Sequence, residues 1–173
     1  PYTTLFRSGE GERFRFLFLG DGASKADLVA RARELSLDNV VFLDSVAKAE
    51  VVRYWSLLDV AIIHLRADEL FTTVIPSKLF ECMGMGLPVL HGVGGESARI
   101  VSVEKVGRVF ESGNAMQLEQ LVIEMAGQPD ELAQMRRNAV DAARRYDRRA
   151  LAITRPPTRP VSVDDADARD PTR

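Results

Sequence analysis

The sequence predicts an α/β fold: a parallel sheet with helices on both faces. Three observations carry that expectation. Short apolar runs alternate with segments of helical spacing four or five times along the chain. The runs are mostly apolar rather than apolar at every second residue, as strands covered on both faces require. The segments between them hold whole helices, so the connections are right-handed crossovers rather than hairpins.

Phe14 to Leu19 is the first such run, read as a buried strand that ends in the tight turn Gly20-Asp21-Gly22. Ser24, three residues before Asp27, gives a capping-box-like helix start. Leu28, Ala32 and Leu35 follow at helical spacing. Val40 to Leu43 is the second strand. Val51, Val52, Trp55 and Leu58 stripe the second helix, and Val60 to Leu65 is the third strand. Pro76-Ser77 opens a third helix through Leu79, Phe80 and Met83, ending near Gly84 and Gly86. Pro88 to His91 is the fourth strand. The glycine-rich turn 92–95 precedes a short helix with Ile100 and Val101, and Val106 to Phe110 is a weaker fifth strand. Asn114 caps a helix with Leu118, Leu121, Val122 and Met125, which Gly127 ends. Pro129 precedes a last, basic helix from Asp130 to about Tyr146.

Composition narrows the function classes. The chain has 173 residues, 46% of them apolar, and a formal net charge of −2. That length suits one domain able to bury about two-thirds of its unfolded surface. Wholesale disorder is excluded, and no apolar run nears the ~18 residues of a spanning helix. Near-neutral charge without a basic block argues against nucleic acid. One cysteine, Cys82, excludes a disulfide framework and a cysteine-based zinc site. The first residues hold no basic stretch followed by an apolar one, so a cytoplasmic, reducing setting is expected.

Residues 1–12 read as an adapter-like or disordered N-terminus, since Pro1 to Ser8 look like a translated sequencing adapter. Residues 13–153 form the domain, truncated at its start. Residues 154–173, with four prolines, eight charged residues and no aromatic, read as a disordered tail.

In a parallel sheet, ligands bind beyond the carboxyl ends of the strands. The turns after Leu19, Leu43, Leu65 and His91 are therefore the candidates. Gly20-x-Gly22 lacks the third glycine of a dinucleotide fingerprint, because Lys25 stands there. It is either a plain turn or a weak pyrophosphate loop. The stretch Asp68 to Glu81 is richer: a polar loop running into a helix start that carries Lys78. Free N–H groups and the helix dipole suit a diphosphate, and a cation in a first turn implies an anionic partner. Glu81, between Phe80 and Met83, is expected buried and in need of partners such as two ribose hydroxyls. A solvated helix face is the bland alternative. His64 and His91 end strands and are more simply packed than catalytic. The basic helix is read as solvated, with contact to an anionic membrane as the minority reading.

In order, FLFLGDG, LDNVVFLDSV, WSLLDVAIIHL, PSKLFECMGMGLPVL, GGESARIV and VGRVFESGN resemble a family 4 glycosyltransferase. The match is to the carboxyl-terminal, donor-binding half of a GT-B fold, one Rossmann-like domain, from about Phe14 to Leu151. IPSKLFECMGMG is most similar to the bacterial fucosaminyl- or hexosaminyl-transferase-like branch of surface polysaccharide assembly. The resemblance implies retaining transfer from a UDP-sugar, with no cofactor and no metal. It implies that Glu81 holds the ribose hydroxyls and that the loop at Ser45 and Val46 holds the base through backbone groups. Thr73 stands where the family has a glutamate on the donor sugar; either Asp68 or Glu69 replaces it, or backbone groups hold the sugar in this branch. The implied nucleotide-sugar contacts are Gly20, Gly22, Ser45, Val46, Thr73, Ile75, Pro76, Ser77, Lys78 and Glu81. The family's phosphate-binding basic residues lie on a preceding βα unit. Its acceptor, a glycan or lipid-linked, meets an amino-terminal half, and peripheral membrane contact is expected of the full-length enzyme. No catalytic residue is identified. A non-hydrolysing nucleotide-sugar 2-epimerase and a non-catalytic nucleotide-binding module are the alternatives.

Overall fold

The computed structural model describes residues 13–65 and 75–146. The expected terminal segments 1–12 and 154–173 lie outside the described residues, as do Asp68, Glu69 and Thr73. In chain order the elements are β1 (Phe16–Leu19), α1 (Lys25–Glu34), β2 (Val40–Leu43), α2 (Lys48–Trp55), β3 (Ala61–His64) and α3 (Ser77–Gly84). They continue with β4 (Val89–Gly92), α4 (Glu96–Glu104), β5 (Gly107–Val109), α5 (Ala115–Ala126) and α6 (Pro129–Tyr146).

Among the described residues every strand pairing is parallel, but the strands fall into two sheets rather than one. β1 pairs with β2, Leu19 opposite Leu43. β3, β4 and β5 pair in that order.

β4 is the centre of the larger sheet. All four of its residues are buried. Successive side chains point to opposite faces, so β4 feeds two cores. On the face of Val89 lie Leu79, Cys82 and Met83 of α3, Ile100 and Val101 of α4, and Ala139 and Ala142 of α6. On the face of Leu90 lie Met125 of α5 and Met135 of α6, with Phe110. Helices therefore cover both faces, as expected. Leu79, Cys82 and Met83 are spaced i, i+3, i+4, one stripe of α3. Full burial of a Leu or Met side chain contributes roughly 1.5–3 kcal/mol. The same burial pushes the Cys82 thiol up to about 12, so it stays protonated and unreactive.

The amino-terminal part departs from expectation. β1 and β2 were expected buried, yet no residue of β1, α1, β2 or α2 is. Phe18 is 45% exposed and stacks on Phe42, ring centroids 5.2 Å apart. An apolar run states what a strand can pack against, not what is there to cover it. Ser24 occupies the N-cap of α1 without a side-chain hydrogen bond, so the capping box does not form. Leu58 falls beyond the end of α2 at Trp55. Asn114 does cap α5: its side-chain oxygen accepts from the Gln117 N–H at 3.0 Å.

Gly107 shows how tightly β5 sits on β4. A Cβ there falls 1.9 Å from the Val89 carbonyl oxygen, a backbone atom that cannot yield. Gly107→Ala is expected to lower unfolding free energy by roughly 3 kcal/mol or more. At Gly84 a Cβ meets nothing within 4 Å, and Gly84→Ala should stay within about 1 kcal/mol of the native chain. Chemical denaturation of both variants checks the contrast; equal effects contradict this packing.

Candidate functional site

Parallel pairing brings the carboxyl ends of β3, β4 and β5 to one edge, and those of β1 and β2 to another. Two clusters of expected site residues result.

The first joins the loops after β1 and β2. The Gly20 N–H donates to the Leu43 carbonyl at 3.1 Å, and its φ of +141° is one that a side chain rarely tolerates. Lys25, in the first turn of α1, uses all three ammonium hydrogens. Its Nζ donates to Asp21 Oδ1 at 2.7 Å, to the Leu43 carbonyl at 3.0 Å and to Asp44 Oδ1 at 2.6 Å. The other Asp21 oxygen accepts the Ser45 N–H at 2.7 Å and the Ser45 hydroxyl. Hydrogen bonds from Lys25 and then Ser45 hold the Asp21 carboxyl well below the usual carboxylate range. The same bonds from Asp21 and Asp44 raise the Lys25 ammonium. An open groove lined by Asp21, Gly22, Lys25, Arg33 and Asp44, with alanines of α1, runs beside the network.

The Lys25 ammonium is fully engaged by Asp21, Asp44 and the Leu43 carbonyl, so it has no hydrogen left for a pyrophosphate. Gly20 is tied to the same corner by its N–H on the Leu43 carbonyl. Asp21, Lys25 and Asp44 were missed as site residues. The i, i+4 spacing of Asp21 and Lys25 was the legible signal; the reach to Asp44 is tertiary.

The second cluster is the start of α3. Ile75 and Pro76 lead into Ser77, and no side chain caps the helix. Among the described helices α3 alone has neither a side-chain cap nor an acidic residue in its first turn. The Leu79 N–H donates to the Pro76 carbonyl at 3.0 Å, which leaves the Ser77 and Lys78 amides without a partner among the described residues. Because Leu79, Cys82 and Met83 face the core, Ser77, Lys78 and Glu81 turn outward together. Glu81 is exposed, not buried as the pattern implied. Phe80 and Met83 flank it in sequence, but a helix advances 100° per residue and puts them on other sides. Lys78 and Glu81 form no ion pair with a described residue. No hydrogen bond or ion pair among the described residues joins this cluster to the first, in which Ser45 and Val46 lie.

The two histidines are occupied structurally. The His64 ring lies nearly parallel to that of Phe110, centroids 6.1 Å apart, with Ser112 Oγ 3.4 Å from its Nε2. Ser112 also donates to the Leu65 carbonyl at 2.5 Å, tying the residue just past β3 to the chain after β5. His91 is fully buried. Its Nε2 lies 2.9 Å from Ser97 Oγ, which in turn donates to the Gly94 carbonyl at 3.2 Å. That donation assigns the proton to Nε2. Nδ1 is then a bare acceptor with no partner among the described residues. The pair pins the turn 92–95, where Gly95 has φ +71°. Burial pulls the His91 imidazole down to about 4.

Comparison with known proteins gives a consistent set. A family model described as "Glycosyl transferases group 1" matches residues 5–128. No curated protein sequence matches the chain significantly. Among solved structures, the chain is similar to Anabaena HepE in complex with UDP-glucose, with TM-score 0.65 and 21% identity over 77% of this chain and 37% of that one. Sucrose-phosphate synthase from Thermosynechococcus elongatus gives TM-score 0.63 and 18% identity over 79% of this chain and 35% of that one. A glycosyltransferase from Rickettsia africae gives 0.58 and 16% over 81% and 39%. At these identities the likeness is one of fold, a GT-B arrangement. The chain spans little more than a third of each neighbour's length.

The His91 environment sets an acid limit on the fold. The unfolded chain binds a proton at an ordinary histidine pKa near 6.5, whereas the folded chain resists until about 4. Between those values the unfolded state gains protons first, so stability falls as pH falls. The full effect is on the order of 3 kcal/mol. His91→Gln removes the titration while keeping a nitrogen near Ser97. Denaturation at pH 6.5 and pH 4 is expected to show the native chain losing that much more than the variant. Parallel pH profiles contradict the assignment.

Proposed function

We propose that this chain, which belongs to the group 1 glycosyl transferases, is the donor-binding half of a retaining transferase. The donor is a UDP-sugar and the acceptor a glycan or lipid-linked glycan of surface polysaccharide synthesis. The observation that carries the reading is the start of α3: an uncapped helix N-terminus, free of acidic residues, with Lys78 and Glu81 on one exposed face. The amides and Lys78 suit the diphosphate, whose charge grows as it leaves. Glu81, exposed and without a described ion-pair partner, suits the ribose hydroxyls. Ser45 and Val46 suit the base. Binding of UDP-glucose and UDP by the Anabaena neighbour supports the choice of donor.

The same reading accounts for the split sheet. One further strand between β1 and β3 gives the order 3-2-1-4-5-6 of dinucleotide-binding folds. On this view the first βα unit and the acceptor-binding half belong to the rest of the enzyme. The reading calls for no metal. The described helices include none long and apolar enough to cross a membrane, and a cytoplasmic site of action at the inner membrane face is part of the proposal. The arginines of α6 are held by neighbours, Arg136 by Asp59 and Arg145 by Glu104, so membrane contact is assigned to the missing half. The epimerase alternative needs a histidine with a carboxylate; both histidines are engaged with Phe110, Ser112 and Ser97.

Two substitutions test the reading by calorimetric titration. Lys78→Ala should weaken UDP far more than uridine, since only the diphosphate gains from that charge; equal losses remove the phosphate assignment. Glu81→Gln should weaken UDP by about 1–3 kcal/mol, the contribution of a charged hydrogen bond, with the melting temperature unchanged. A large loss of stability with unchanged affinity makes Glu81 structural. The chain by itself should transfer no sugar, and acceptor-dependent UDP release should need the full-length enzyme.

A further inference from the structure

The Lys25 network has more tertiary reach than a surface ion pair needs. It links positions 21, 25, 43, 44 and 45, three of them about twenty residues away in sequence. Lys25 itself is largely covered, its side chain 22% exposed. Within the loop after β2, no backbone hydrogen bond fixes Ser45. Its N–H and hydroxyl are both taken by a carboxylate from the neighbouring loop. The Ser45 carbonyl and the Val46 N–H are left without partners among the described residues. They are therefore the groups this loop presents to a ligand, and their position follows from Asp21.

Asp21 is in turn placed by Lys25. Both carboxylates lie within hydrogen-bond distance of the one ammonium, at 2.7 and 2.6 Å. Without it, two like charges face each other across the junction of the two loops, and repulsion drives the loops apart. Lys25 is the cation between the two carboxylates; the other ties across the junction are those of Ser45 to Asp21 and of the Gly20 N–H to the Leu43 carbonyl. Since the ammonium has no hydrogen left over, Lys25 does not itself hold a phosphate.

Resting on the donor-site reading above, we propose that Lys25 and Asp21 are positioning residues that set the loop 44–46 in the shape that receives the nucleobase. They act on the base-dependent part of affinity, whereas Lys78 acts on the diphosphate-dependent part. The two contributions separate because no described hydrogen bond or ion pair connects the clusters.

Titration of the chain with UDP, uridine and inorganic pyrophosphate tests this. Lys25→Met should weaken UDP and uridine by the same factor, about tenfold, the loss of a charge-assisted hydrogen bond. Pyrophosphate affinity should stay at the native value. Lys25→Arg, which keeps the charge, should recover most of the loss. Asp21→Asn should repeat the Lys25→Met pattern, and it decides the matter if Lys25→Met loses its native circular dichroism spectrum. Native affinity for UDP and uridine in the folded variants overturns the proposal. So does a loss confined to UDP and pyrophosphate, which makes Lys25 a phosphate ligand. If the native chain binds pyrophosphate but neither UDP nor uridine better, the donor-site reading itself fails, and the proposal with it.

Discussion

The ligand edge depends on β4 being buried on both faces and hydrogen-bonded along both sides. Four residues long, it is flanked by β3 and β5 in parallel. Its alternating side chains root two separate helix layers. Parallel pairing puts the carboxyl ends of β3, β4 and β5 in register along one edge. The fit leaves no room for side chains at two points. Gly107 lies against the Val89 carbonyl, and Gly92 lies under the Phe110 ring, which stacks on His64. Through Phe110 and Ser112, the carboxyl end of β5 holds that of β3, where the loop to α3 begins.

The same packing prepares α3 for a ligand. Three of its side chains, Leu79, Cys82 and Met83, are fully buried and fix its rotation about its own axis. Ser77, Lys78 and Glu81 are outward by consequence rather than by contacts of their own. Among the described residues no side chain competes for the Ser77 and Lys78 amides, which suits them to an anion. The corner at Lys25 is arranged in the opposite sense. Its polar groups are already bonded to one another, and it offers a ligand shape rather than charge. One cluster suits a charged group and the other a neutral, planar one, as the two ends of a nucleoside diphosphate demand.

Much of this was legible in the residues. The strand–helix alternation, the Asn114 cap and the third helix from Ser77 follow from local pattern and stereochemistry, and the structure repeats them with boundaries shifted by one or two residues. What failed was anything set by distant neighbours. Phe16 to Leu19 is as apolar as Val89 and Leu90, yet only the latter find partners on both faces. Glu81 was judged by its sequence neighbours, whereas the core stripe at Leu79, Cys82 and Met83 decides its exposure. Lys25 was read as the absence of a glycine. Its presence is the informative fact, because the Asp44 and Leu43 atoms it reaches come from the next strand.

The central claim is that the two clusters serve one nucleoside diphosphate. Backbone amide NMR of the chain during UDP titration tests it most directly. The account predicts shifts concentrated at residues 44–46 and 76–81, with uridine reproducing only the first group and pyrophosphate only the second. Shifts centred on α5 and α6, or an identical pattern from all three ligands, contradict it.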